Sequence, residues 1–235
     1  GTLAQRDRGT PQGSPVSPVL ANLFLHYAFD MWMVREFPTV RFERYVDDAV
    51  VHCVSERQAR QVLAALHDRM AEVGLRLHPD KTRIVYCKDG KRRGNYAHTS
   101  FTFLGFTFRP RRARDKHGRK FTSFMPAISR DALTKIGREV RSWRLHRQTG
   151  RSFGDLARWI NPIVRGWMNY YGAFYRSALY AFLTRINAYL MRWVRNKYRR
   201  YRGRGAFQQA WQRVTADYPR FLAHWAWTTT VPTSW

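Results

Sequence analysis

Val40-Arg41-Phe42-Glu43-Arg44-Tyr45-Val46-Asp47-Asp48-Ala49-Val50-Val51-His52-Cys53-Val54 holds two short runs of β-branched and aromatic residues that meet at a tight turn. Such a pattern reads as a β-hairpin. The turn carries two adjacent carboxylates, Asp47 and Asp48. Hard oxygen ligands at an exposed tip suit Mg²⁺, an ion that keeps part of its water shell and also grips phosphate. Two-metal phosphoryl transfer uses that arrangement. Asp is also a common turn former, so the tetrapeptide by itself reads first as an acidic turn. Its surroundings reverse that order.

Upstream runs Arg8-Gly9-Thr10-Pro11-Gln12-Gly13-Ser14-Pro15-Val16-Ser17-Pro18-Val19-Leu20-Ala21-Asn22-Leu23. Downstream come Gly74-Leu75-Arg76-Leu77-His78-Pro79-Asp80-Lys81-Thr82 and then Phe103-Leu104-Gly105-Phe106-Thr107-Phe108. In this order and near this spacing, the four blocks resemble those of reverse transcriptases, particularly the enzymes encoded by bacterial group II introns. Further on, Ile160-Asn161-Pro162-Ile163-Val164-Arg165-Gly166-Trp167-Met168-Asn169-Tyr170-Tyr171-Gly172 resembles the maturase-specific, or X, domain of the same proteins. The resemblance runs from about Arg8 to about Arg200 and weakens beyond.

The resemblance implies an α+β fold, a partial reverse-transcriptase palm followed by an α-helical thumb and maturase bundle. It divides the chain into residues 1–125 (palm), 126–200 (thumb and X domain) and 201–235, a basic aromatic segment with a possible DNA-binding role. It implies that Asp47 binds Mg²⁺ beside the primer 3′ end and that Asp48 assists. Tyr45 and Val46 would lie near the primer terminus, although Tyr45 reads equally well as a packed strand aromatic. Gln12 and Gly13 would shape the nucleotide and template pocket; Gly13 also reads as a simple helix start, since glycine permits close backbone approach in either role. Lys81 would protonate or stabilise the departing pyrophosphate, against the plainer reading of a surface lysine. Leu104 and Gly105 resemble the turn that grips the primer backbone, with packing an equal contender.

Composition points the same way. Forty-two Lys and Arg against 16 Asp and Glu give a formal charge of +26. A small neutral substrate does not call for that charge, whereas a polyanion gains affinity from each phosphate neutralised. A membrane surface is the competing explanation, but no run of about 18 apolar residues could span a bilayer, no signal peptide is read, and no membrane partner is expected. Hydrophobic residues at 44% are enough for a packed core without disulfides. Cys53 and Cys87 have no metal-site spacing and read as buried thiols on palm strands in a reducing compartment. Arg109, Arg111, Arg112, Arg114, Lys116, Arg119 and Lys120 crowd a stretch read as a basic turn that meets the duplex, or is merely solvated. Arg138, Arg141, Arg144 and Arg147 recur every three residues, and Arg192, Arg195, Lys197, Arg199 and Arg200 cluster later with Tyr198 and Tyr201 among them. Cations interleaved with rings suit RNA, whose unpaired bases stack on both. Arg165 and Asn169 in the X-like block join this set; Trp167 and Tyr171 there are expected to pack.

The spacing predicts a helix over residues 19–36, apolar on all sides and so deeply packed, the hairpin, and a helix over 56–73 capped by Ser55. A short strand follows over 82–87, a charged loop over 88–98, and a strand over 101–108 that pairs with 120–125 across the basic turn 109–119. Helices follow near 133–143, over 153–171 with a break at Asn161-Pro162, and over 179–194, with a short helix near 207–214 in the tail.

The reading is therefore an RNA-directed DNA polymerase and RNA-splicing maturase of a group II intron, with Mg²⁺ as cofactor. Its partners would be intron RNA, an RNA template with a DNA primer, and deoxynucleoside triphosphates, in the bacterial cytoplasm and at the nucleoid when acting on DNA. The chain begins at Gly1 almost inside the first block, and nothing in it matches the fingers or the earlier metal-binding strand that the resemblance implies, so a protein shortened at its N-terminus is expected. Two alternatives stay open: a non-catalytic intron-RNA-binding module, and a reverse transcriptase of another bacterial class, retron or CRISPR-associated.

Overall fold

The computed structural model describes residues 15–92, 94, 96–201 and 203–228, with the side chains of Arg204 and Ala206 left aside. The chain forms two compact units, Gly1–Tyr86 and Cys87–Trp235.

In the first unit, α1 (Ser17–Leu25) continues through a π turn (His26–Asp30) into α2 (Met31–Glu36). The hairpin follows as β1 (Arg41–Tyr45) and β2 (Asp48–His52), and then α3 (Glu56–Glu72). Ser55 caps α3 by accepting from the Gln58 N–H at 3.2 Å. At its other end the Gly74 N–H reaches Ala71 O and the Leu75 N–H reaches Met70 O, the paired bonds that close a helix on a left-handed residue. Phe29, Trp32 and Met33 pack with Val40 and with Val62, Leu66 and Met70 of α3. Only that one face of the first helix is covered. Val19, Leu20, Leu23, Phe24, Tyr27, Met31 and Val34 are exposed among the described residues, so the expectation of a deeply packed helix does not hold: one hairpin and one helix can cover a single side.

Residues 82–87 form no ladder with any described strand, so the expected strand is absent; Cys87 is not a strand residue, and Cys53 stands just past the end of β2. Both cysteines are half-buried, and burial raises both thiols.

The second unit opens with a three-stranded antiparallel sheet, β3 (Phe101–Phe103), β4 (Phe106–Arg114) and β5 (Lys120–Ile128), in the order β3-β4-β5. The stretch read as a basic turn is largely strand. Arg109, Arg111 and Arg112 lie on β4 in register with Met125, Ser123 and Thr122, and the true turn is set by the Asp115 carboxylate, which accepts from the N–H groups of His117 and Arg119. Pro110 sits just past the end of the β3 pairing and Pro126 on the outer strand, where the missing donor costs no inner ladder bond. This sheet packs in the same compact unit as the helices that follow it.

Helices α4 (Arg130–Ser142), α5 (Phe153–Tyr171) and α6 (Ser177–Lys197) build the main core. Ile136 and Val140 meet Leu156, Ile160 and Val164, and Leu179, Leu183, Ile186, Leu190 and Trp193 of α6. The expected break at Asn161-Pro162 does not occur: α5 runs through Pro162, with Ile160, Asn161 and Val164 buried on either side of it. Beyond residue 200 the chain folds back as α7 (Arg204–Asp217) and α8 (Trp225–Thr228). Leu222 and Trp225 are fully buried in the same core.

Candidate active site and nucleic-acid interface

Tyr45 pairs with Asp48, which leaves Val46 and Asp47 as the two turn residues. Val46 has φ of 57°, a left-handed conformation that costs a β-branched residue roughly 1–3 kcal/mol. Arg44 holds the turn. Its guanidinium donates to Val46 O at 2.8 Å, to Asn22 Oδ1 at 2.9 Å, and to both Asp30 oxygens at 2.7 and 2.6 Å. A forked guanidinium matches a carboxylate in this bidentate way. The Arg44 side chain is only 11% exposed and that of Asp30 only 21%. The hydrogen bonds from Arg44 hold the Asp30 carboxyl below the usual carboxylate range, and the same bonds raise the Arg44 guanidinium. Asp30 is the last residue of the π turn, in which the Met31 N–H reaches back to His26 O.

The pinned turn leaves Tyr45, Val46, Asp47 and Asp48 exposed. Tyr45 is 60% exposed and is not packed as a strand core residue. Two adjacent hard carboxylates open to solvent fit a hydrated Mg²⁺, which takes one or two protein carboxylates and completes its shell with water and substrate phosphate. Among the described residues no third His, Cys, Asp or Glu joins them in a cluster. Lys81 is exposed in the turn after His78, where its N–H bonds to His78 O, and none of its described contacts reaches the hairpin. Gln12 and Gly13 lie outside the described residues.

In the second unit, Leu104 and Gly105 form the two-residue turn between β3 and β4, with φ of 50° and 77°. Positive φ at both positions is the turn that matches strand twist. Tyr170 at the end of α5 donates its hydroxyl to Leu104 O at 2.9 Å, and the Ser129 N–H bonds to Gly105 O at 2.8 Å. A Cβ on Gly105 would stand 3.3 Å from the Tyr171 ring. Phe106 is walled by Tyr170, Tyr171 and Phe174. The turn is thereby fixed to the helical bundle of its own unit.

Two family models match. Residues 4–108 match "Reverse transcriptase (RNA-dependent DNA polymerase)" and residues 133–211 match "Group II intron, maturase-specific domain". The chain belongs to the group II intron reverse transcriptase and maturase family. The exposed hairpin tip and the Leu104-Gly105 turn both fall inside the first match, and Tyr170 inside the second. Among curated proteins no match is found. No helix of the described residues is long and apolar enough to cross a membrane.

The basic residues sort by geometry into exposed ones and ones engaged within the protein. Arg109 and Arg112 are exposed on β4, Arg138 and Arg141 on α4, Arg165 and Asn169 on α5, Arg192 and Arg195 on α6, and Arg199 in the short turn that follows. Two others are engaged inside the protein. Arg111 is half-buried, bonds Met125 O and Thr107 O, and lies over the Tyr175 ring, and burial lowers its pKa. Lys197 caps the carbonyls of Thr149 and Arg151, fixing the loop before α5. Trp167 stacks on Trp143 and Tyr171 leans on Phe106, as packing residues do. The residues that sequence reasoning missed are Arg44, Asp30 and Asn22. The available signal was a lone acid in the middle of an apolar helix, and an Arg three positions before Asp47.

Proposed function

We propose that this chain carries out RNA-templated DNA synthesis at Asp47 and Asp48, and that its second unit binds intron RNA. The observation that carries the first half is the pair of exposed carboxylates on a turn pinned by Arg44, within the reverse-transcriptase match. Asp47 would supply the principal oxygen ligand and Asp48 a supporting one to Mg²⁺, which activates a primer 3′-OH and offsets charge on the triphosphate when bound. Tyr45 and Val46 flank the place where the primer end would sit. Lys81 would meet the departing pyrophosphate. The turn at Leu104 and Gly105 would bear on the primer backbone, with Gln12 and Gly13 near the nucleotide and template. Arg109, Arg112, Arg138, Arg141, Arg165, Asn169, Arg192, Arg195 and Arg199 would contact RNA through exposed cationic or amide groups, while Arg111 and Lys197 would act by holding the surfaces that present them. Residues 201–235 would extend this surface, and the work would take place in the bacterial cytoplasm.

The test is Mg²⁺-dependent extension of a DNA primer on an RNA template by the full chain and by Asp47→Ala. Extension by the parent, with a loss of at least about a hundredfold in the variant, is the expected outcome for removing a metal ligand. RNA affinity should stay nearly unchanged. Absence of extension from the parent, with salt-sensitive RNA binding retained, would favour the non-catalytic RNA-binding reading.

A further inference from the structure

We infer that Asp30 and Arg44, with Asn22, are positioning residues that set the Asp47 carboxylate for the divalent ion; this rests on the metal-binding reading of the hairpin. Arg44 is tied on three sides. Asp30 takes two of its N–H groups, Asn22 accepts from a third nitrogen, and that same nitrogen donates to Val46 O. Val46 is the residue before Asp47 and carries the unfavourable φ of 57°. A two-residue turn with a β-branched residue in that conformation has easier alternatives, and each of them would swing the Asp47 backbone. The bond to Val46 O removes those alternatives.

The helix contributes through its π turn. A regular α-helix would rotate Asp30 away from its present place, because the extra residue between His26 and Met31 shifts every following side chain around the axis. Such single wide turns occur often at functional sites. Asp30 is also the only acid between Ser17 and Arg35, and apart from Arg44 its one described side-chain partner is the exposed His26, at 3.4 Å. The helix thus supplies a fixed anion, the strand supplies a fork that reads it, and the free edge of the fork holds the turn.

The experiment titrates Mn²⁺, followed by electron paramagnetic resonance, into the full chain bound to an RNA template and DNA primer. Asp47→Ala identifies the signal of the hairpin ion. Asp30→Asn and Arg44→Lys should raise the half-saturating Mn²⁺ about tenfold, the scale of losing an outer partner of a metal ligand. Asn22→Ala removes one exposed bond and should raise it about threefold. Glu43→Gln breaks the exposed pair with His52 on the same hairpin and should leave it unchanged. Primer extension by Asp30→Asn should recover at high Mg²⁺ with KM for the nucleotide unmoved; a variant that merely folded poorly would lose activity at every Mg²⁺ concentration. If Asp30→Asn does not fold, Asn22→Ala decides. Parent-like Mn²⁺ affinity in Asn22→Ala and in the folded Asp30→Asn would overturn the inference. Mn²⁺ binding indifferent to Asp47→Ala would instead overturn the metal reading, and the inference with it.

Discussion

His224 is a fully buried imidazole. Its Nε2 lies 2.7 Å from Asn187 Oδ1, which also accepts from Trp225 Nε1 at 2.9 Å. An amide oxygen can only accept, so Nε2 carries the proton and Nδ1 is the bare lone pair, and among the described residues no partner meets it. Protonation would place a charge and an unpaired N–H in the core, and burial pulls the pKa down to about 4. The unfolded chain then binds this proton more readily than the folded one. Stability is whole above pH 6.5, the ordinary value, and falls as pH drops from there towards 4, by up to about 3 kcal/mol. Urea unfolding at pH 7.5 and pH 4.5 should show a loss of that order in the parent and a smaller one in His224→Gln. Asp30 contributes in a lower window. Its carboxyl is held down by Arg44, so that stabilisation is present above the usual carboxylate range and is lost only as pH falls below it. A parent equally stable at both pH values would refute the assignment of a neutral buried His224.

At the scale of elements, α5 is the test case. Pro162 removes one helix bond, yet the helix continues because Asn161 is locked to the chain that packs on it. Its Nδ2 donates to Phe221 O at 2.9 Å and its Oδ1 accepts from the Ala223 N–H at 2.8 Å. Asn161→Ala strands both part-buried backbone groups and should cost about 2–4 kcal/mol, less than two full penalties of roughly 1–3 each because some solvent reaches them. Hydrogen exchange should show the Ala223 amide losing protection first, before the centre of α6. Helices α3, α4 and α6 were legible in the sequence because 3-4 spacing reports burial directly: Ile136 and Val140, or Leu179, Leu183, Ile186 and Leu190, recur at that spacing and are core residues. The continuity of α5 was not legible, since the partner that overrides Pro162 lies about 60 residues away. The strand over 109–114 was hidden by its own arginines: Arg109, Arg111, Arg112 and Arg114 put charge on both strand faces and so erase the period of two. The turn at Leu104 needs a left-handed leucine, which no local preference announces. At the candidate site, Asp47 and Asp48 could be read from residue type and neighbours alone, but the clasp of Asp30, Asn22 and Arg44 depends on a π turn and on contacts 14 and 22 residues apart. The coverage of α1 was misread for a related reason: hydropathy measures what a face prefers, not what stands beside it.

The whole molecule carries +26, and no described ion pair lies deeper than the partly buried Asp30 and Arg44. Most of that charge is therefore solvated and available to phosphate. Affinity for structured RNA should fall linearly on logarithmic axes as salt rises, by about 10³–10⁵ between 50 and 200 mM if six to ten phosphates are neutralised. Fluorescence anisotropy with a labelled intron-like RNA gives the slope. Which cations contribute follows from how each is held. Arg138 and Arg141 stand exposed on α4, and replacing both with Gln should reduce the slope by nearly two phosphates' worth, or about 1.4–1.8, with little change in thermal unfolding. Arg111 is half-buried against Met125 O, Thr107 O and the Tyr175 ring. Arg111→Gln should leave the slope nearly as it was and lower the unfolding temperature, because its work lies in the sheet. The reverse pattern, a shallower slope from Arg111→Gln and none from the α4 pair, would place the RNA on the strand face and leave the α4 arginines as solubilising charge.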